Sequence, residues 1–132
     1  IFCHQVIVEN GGDIFMQVKK KKIVGIYAGS SPLSGKIALE IEPQDTPIGI
    51  CCSAGTFGHS LSLGEADAVV VLSPSTALAD ALATAVGNMV KKESDVQKGL
   101  DFLRKIPEVY GGLIIKGKRL GAWGKIKIVG RA

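Results

Sequence analysis

Four polar residues, Thr76, Asp80, Thr84 and Asn88, recur at a strict spacing of four within the stretch "STALADALATAVGNMV", residues 75–90, whose other positions from Thr76 onward are Ala, Leu, Val, Met or Gly. On a helix of ~3.6 residues per turn a step of four drifts by only ~40°, so the four side chains form one narrow stripe on a single face. A helix apolar on the rest of its circumference is expected to be buried, which would place Asp80 in the interior or in a closed site. A carboxylate there needs a cation, hydrogen-bond donors or a proton. Asp80 and Thr84 would offer an anionic and a neutral oxygen one turn apart, about 6 Å along the axis. Those ligand types suit Mg²⁺, which takes one or two carboxylates and fills its octahedron with water or phosphate oxygens. The alternative is that Asp80 accepts hydrogen bonds from loop N–H groups and ties helix to sheet.

The second chemical stretch is "GICCSAGTFGHSLSLG", residues 49–64, with four glycines, four Ser or Thr hydroxyls and His59 between two strand-like runs. Glycines such as Gly55 and Gly58 let successive N–H groups turn toward an anion, and the Thr56, Ser60 and Ser62 hydroxyls can add donors to a phosphate. The same composition also describes a wide hairpin whose hydroxyls satisfy its own backbone. His59 is a candidate general base or a hydrogen-bonded structural histidine. No GxxxxGK[ST] or GxGxxG motif occurs, so neither a P-loop nor a dinucleotide fingerprint is present.

Strands and helices along the chain must position these residues. Short apolar runs bounded by turn residues predict strands near 3–9, 13–18, 23–27, 36–42, 48–52 and 67–72. "NGGD" at 10–13 and "SSPLSG" at 30–35 favour antiparallel pairing, and "KKKK" at Lys19–Lys22 reads as a solvated hairpin turn. Ser73 and Pro74 supply an N-cap and a first-turn proline for a helix reaching about residue 91. A second helix over roughly 93–105 shares Val96, Leu100, Leu103 and Ile106 on one face, with Gly99 weakening it, and Pro107 ends it. "GGLIIKGKRLGAWGKIKIV" then predicts two or three further strands. The order gives an α+β domain, a mainly antiparallel sheet with helices packed on one face, with residues 1–132 as a single unit.

Composition narrows the function class. The chain has 132 residues, 46% hydrophobic and 21% charged, as a globular domain has. A net charge of +4 with 5% aromatic residues and no basic groove with interleaved aromatics argues against a nucleic-acid partner. The apolar run around Asp80 is shorter than the ~20 residues a membrane span needs. Cys3, Cys51 and Cys52 give an odd count with no CxxC spacing, so a disulfide framework or zinc site is not indicated and a cytoplasmic location is expected. Cys51 and Cys52 read as small buried residues at a strand end. The opening "IFCHQVIVE" has neither an initiator methionine nor the layout of a signal peptide, which reads as a piece of a longer polypeptide.

"VENGGDIFM", "VGI", "GICCSAGTFGHS" and "ADAVVVLSPSTALADALATAVGNM" occur in the order and at spacings similar to the C-terminal half of the ApbE family, the FAD:protein FMN transferases. "GGDI", "SPLSG", "GTFGHSLSLG" and "GNMV" resemble an ApbE-like branch still more closely. The resemblance implies a T-fold-like architecture, Mg²⁺ at Asp80 and Thr84, FAD as substrate, His59 as general base, and an N-terminal half that supplies much of the flavin pocket. It also implies FMN transfer to a hydroxyl of an acceptor protein. One departure stands out: where the transferases carry an insertion and then "HIIDPRTG", this chain has "GHSLSLG". The alternative reading is therefore a non-catalytic domain that binds a flavin or another phosphorylated small molecule, or that scaffolds an assembly. T-fold-like domains commonly associate, and the apolar content allows a homo-oligomer.

Overall fold

A computed structural model describes residues 5–10, 12–29, 31–53 and 66–130. Nine strands and two helices follow in the order β1 (Val6–Asn10), β2 (Asp13–Gln17), β3 (Lys22–Ile26), β4 (Ile37–Ile41), β5 (Ile48–Ser53), β6 (Ala68–Ser73), α1 (Thr76–Met89), α2 (Val96–Arg104), β7 (Gly111–Lys116), β8 (Arg119–Gly124) and β9 (Ile128–Gly130). The expected α+β class holds, with helices packed against an antiparallel sheet.

Among the described residues the strands form two sheets. One has six strands in the order β1-β2-β5-β6-β7-β8, and the other three in the order β3-β4-β9; every neighbouring pair is antiparallel. A period of two along β5 and β6 sends alternate residues into two cores. Ile48, Ile50, Val70 and Leu72 point to the smaller sheet, where they meet Leu39 and Ile26. Cys51, Val69 and Val71 point to the helices, where they meet Ala83, Val86 and Leu103. The central strands are therefore buried on both faces, which explains the unbroken apolar run "AVVVLS" of β6.

Two local expectations change. The lysine run does not turn a hairpin: β2 and β3 belong to different sheets, and Lys19–Lys21 carry the chain from one to the other. The apolar segments on either side look alike in sequence, but the turn chemistry of a tight hairpin, such as Asn-Gly, is missing between them. The cap of α1 lies two residues later than expected. Ser75, in an extended conformation, accepts a hydrogen bond from Leu78 N–H at 3.2 Å, while the buried Ser73 ends β6 and accepts from Ser75 N–H at 3.1 Å.

Candidate functional site

Helix α1 lies over β5 and β6 with Ala79, Leu82, Ala83, Val86 and Gly87 against the sheet. Along the flank of that face run Asp80, Thr84 and Asn88, all exposed, with Thr76 half-buried at the start of the stripe. The expectation of a buried Asp80 is thus corrected. The apolar residues that suggested all-round burial include Ala77, Ala81 and Ala85, which are exposed. Alanine is the strongest helix former and tolerates solvent, so its abundance reports helix propensity rather than burial. The strict spacing of four survives as a solvent-facing stripe.

Along that stripe, Thr84 donates its hydroxyl proton to the Asp80 carbonyl oxygen at 3.2 Å. This back-bond fixes the hydroxyl and leaves its oxygen lone pairs available as acceptors. The helix is seated closely at its N-terminus. A Cβ on Gly49 would stand 2.6 Å from Thr76 Oγ1 and 2.7 Å from Thr76 Cα, so β5 must present glycine there.

One carboxylate on the helix-facing side of the sheet was not singled out in the sequence. Asp13 opens β2 directly opposite Cys51 of β5, after a glycine at which a Cβ would collide with the Cys52 carbonyl oxygen. The signal was available in "GGDI", where paired glycines at a turn precede a carboxylate at the head of a strand. Cys51 reports the surroundings of this corner. Its buried thiol donates to the Thr76 carbonyl oxygen at 3.3 Å. Burial, then the Asp13 carboxylate as acceptor and charge, then the Asp80 charge push the thiol up to about 12. Burial and then Asp13 push Cys52 up to about 11. Both thiols are protonated at neutral pH, in keeping with a packing role. Asp13 and Asp80, from different elements, both act on the Cys51 thiol through their charge.

The residues predicted to bind phosphate or act as base, Gly55, Thr56, Gly58, His59, Ser60 and Ser62, lie outside the described residues. The two described residues flanking that segment are placed. Ala66 N–H donates to the Gly87 carbonyl oxygen at 3.0 Å, and Ser53 Oγ stands 3.5 Å from where a Gly87 Cβ would be. Gly87 follows Thr84 by one helical turn, so both stems of segment 54–65 meet α1 beside the Asp80–Thr84 stripe. Among the described residues, no group of three or more His, Cys, Asp or Glu stands together as a metal cluster, and no helix is long and apolar enough to cross a membrane.

Over residues 1–100 the chain matches the family described as AbpE bacteria. It is 44% identical over 126 residues to a UPF0280 protein of Methanocella arvoryzae, covering 96% of this chain and 51% of that protein. A UPF0280 protein of Methanosarcina barkeri is 46% identical over 128 residues, with 96% and 50% covered. One from Methanococcus aeolicus is 41% identical over 128 residues, with 94% and 52% covered. The chain spans about half the length of the curated relatives it matches. With the family matched across more than half of its residues, the chain belongs to the AbpE bacteria family.

Proposed function

We propose that this chain contributes the Mg²⁺ and diphosphate part of a site for FAD or a related nucleotide, and that the whole protein transfers FMN from FAD to a protein hydroxyl. The observation that carries this reading is the exposure of Asp80 and Thr84 together on one face of α1, beside the stems of segment 54–65. The donor chemistry fits a hard cation. Asp80 offers a carboxylate at the surface, and the Thr84 hydroxyl, its proton committed to the Asp80 carbonyl, presents lone pairs. Mg²⁺ keeps several waters and binds through one or two carboxylates plus substrate phosphates, so a full protein cage is not required. Asp13, opposite Cys51 on β2, is a further carboxylate on the helix-facing side of the sheet.

Bound Mg²⁺ would supply charge neutralisation for Asp80 and for a diphosphate. The chain's own residues do the rest. Backbone N–H groups around Gly55 and Gly58, with the hydroxyls of Thr56, Ser60 and Ser62, hold phosphate oxygens. His59 accepts the proton of the acceptor hydroxyl as its oxygen bonds to the FMN phosphorus; the phosphoanhydride bond breaks and AMP leaves. The second reading, nucleotide binding without transfer, draws support from "GHSLSLG" in place of "HIIDPRTG".

Incubation of the full-length polypeptide with FAD, Mg²⁺ and candidate acceptor proteins tests the two readings. Covalent flavin together with released AMP is the expected result, with His59→Ala lowering turnover by ~10²–10⁴-fold while calorimetry shows binding retained. Binding with no AMP release selects the non-catalytic reading. Absence of FAD, FMN and ATP binding at any Mg²⁺ concentration rejects both.

A further inference from the structure

The space between the two sheets opens in a cleft on each of two sides, and the two clefts differ in lining. Near the start of β9, Lys127 pairs with Glu40 and, at 3.6 Å, with Glu42, while Lys21 reaches Glu40 at 3.3 Å, so the cleft of about 350 Å³ on this side is bordered by paired charges. At the other side lies a cleft of about 440 Å³ between β1 and β2 of the large sheet and β3 of the small one. Its lining is mainly apolar, with Ile7, Ile14, Met16, Ile23, Val24 and Tyr27. Ile7 is 47% exposed, Ile23 53% and Tyr27 60%. Natural edge strands are blunted by charge, proline or bulges, because a bare edge invites another strand. Yet β1 and β3 are both edges among the described residues, both flank this cleft, and each has an apolar run with a single charged residue, Glu9 or Lys22.

We propose that this double edge is the seat of an apolar, strand-forming segment of the same polypeptide, from the half of the relatives' length that residues 1–132 do not span. Three arguments select that occupant. The relatives carry about as much sequence again as the part matched here, so an intramolecular partner is available. A tethered segment acts at an effective concentration on the order of millimolar, which outcompetes a second copy at ordinary protein concentrations. The backbone of two edges, unpaired among the described residues, calls for a peptide rather than a small molecule, with alternate side chains entering the cleft.

The test uses the natural polypeptide that carries residues 1–132. Hydrogen exchange on the unmodified protein should show the β1 amides protected on both sides of the strand. Ile7→Lys and Ile23→Lys should each lower Tm by roughly 5 °C or more. Ile128→Lys, at a 38% exposed site on the opposite edge of the small sheet, should shift it by less than about 2 °C. Light scattering should give a monomer before and after substitution. Open exchange along β1, or Tm unmoved by both cleft substitutions, overturns the proposal. A dimer that Ile7→Lys dissociates also overturns it, since the cleft would then be held by a second copy.

Discussion

Helices α1 and α2 pack on the same face of the same sheet, yet they use their outer faces differently. The outer face of α2 is paired with itself: Gln97 Nε2 donates to Asp101 Oδ1 at 2.9 Å, and Arg104 lies 3.7 Å from the same carboxylate oxygen. Those are the i,i+4 and i,i+3 contacts of a solvated helix surface. On α1 the polar stripe contains no cation, and its one internal side-chain bond runs from Thr84 to a backbone carbonyl. Seating differs as well. The first residue of α1 meets β5 through backbone at Gly49, whereas α2 meets β8 at Gly121 through the tips of Val96 and Leu100. One helix is held rigidly and offers polar groups outward; the other is held by adaptable side chains and has satisfied its own.

The largest test of that contrast is in the seating. Gly49→Ala drives a Cβ into Thr76 Cα, which cannot move without moving the helix, and should cost about 3 kcal/mol in urea unfolding. Gly121→Ala meets Val96 Cγ1 at 2.7 Å and Leu100 Cδ1 at 2.8 Å, which can rotate, and should cost about 1 kcal/mol. Equal losses would erase the distinction between rigid and adaptable seating.

The helix starts come next. Ser75→Ala removes the acceptor for Leu78 N–H and should destabilise by about 1 kcal/mol at every pH, since a hydroxyl does not titrate. The approach to α2 depends instead on Asp95, whose Oδ2 accepts from Lys91 N–H at 3.0 Å and Lys92 N–H at 3.2 Å. The Lys91 N–H and then that of Lys92, against a desolvation cost and with help from Lys98, hold its carboxyl below the ordinary aspartate range. A lowered folded pKa means the unfolded chain binds the proton more readily, so this stabilisation is present above the ordinary pKa and is lost as pH falls through the lowered one. Asp95→Asn should therefore flatten the acid limb of a stability–pH curve while Ser75→Ala leaves its shape intact; parallel limbs would contradict the assignment.

Smaller in stability is the outer face, where the proposed Mg²⁺ site would lie. Asp80→Asn at an exposed position should change the metal-free unfolding free energy by less than about 0.5 kcal/mol. In excess Mg²⁺ the unmodified protein should melt higher than in EDTA, and the variant should lose that increment. An increment retained in Asp80→Asn would remove Asp80 from the metal site. The smallest effect belongs to α2: Arg104→Ala breaks an exposed ion pair and should cost about 0.2–0.5 kcal/mol, falling with salt.

Much of this was legible in residue order. Strand positions, both helices and their antiparallel setting follow from period-two runs, glycine turns and the spacing of Val96, Leu100 and Leu103. Three things were not. The division into two sheets depends on which edges meet, and β2 and β3 carry the same alternating pattern whether they pair or part. Exposure of Asp80 was hidden by alanine, which favours helix wherever it lies. Asp13 went unread because its significance comes from standing opposite Cys51 across two strands, a relation between positions far apart in the chain.

Ser53 and Ala66 both rest against Gly87, which gives segment 54–65 two fixed ends on one residue of α1. Closing a loop on fixed stems costs free energy that rises only with the logarithm of its length, about 0.6 kcal/mol for each doubling. The chain between those stems can therefore be lengthened or shortened with little penalty to either sheet or helix. A change in the number of residues between Ser53 and Ala66 is one this scaffold can absorb, because its cost falls on chain entropy and not on the packing of β5, β6 and α1.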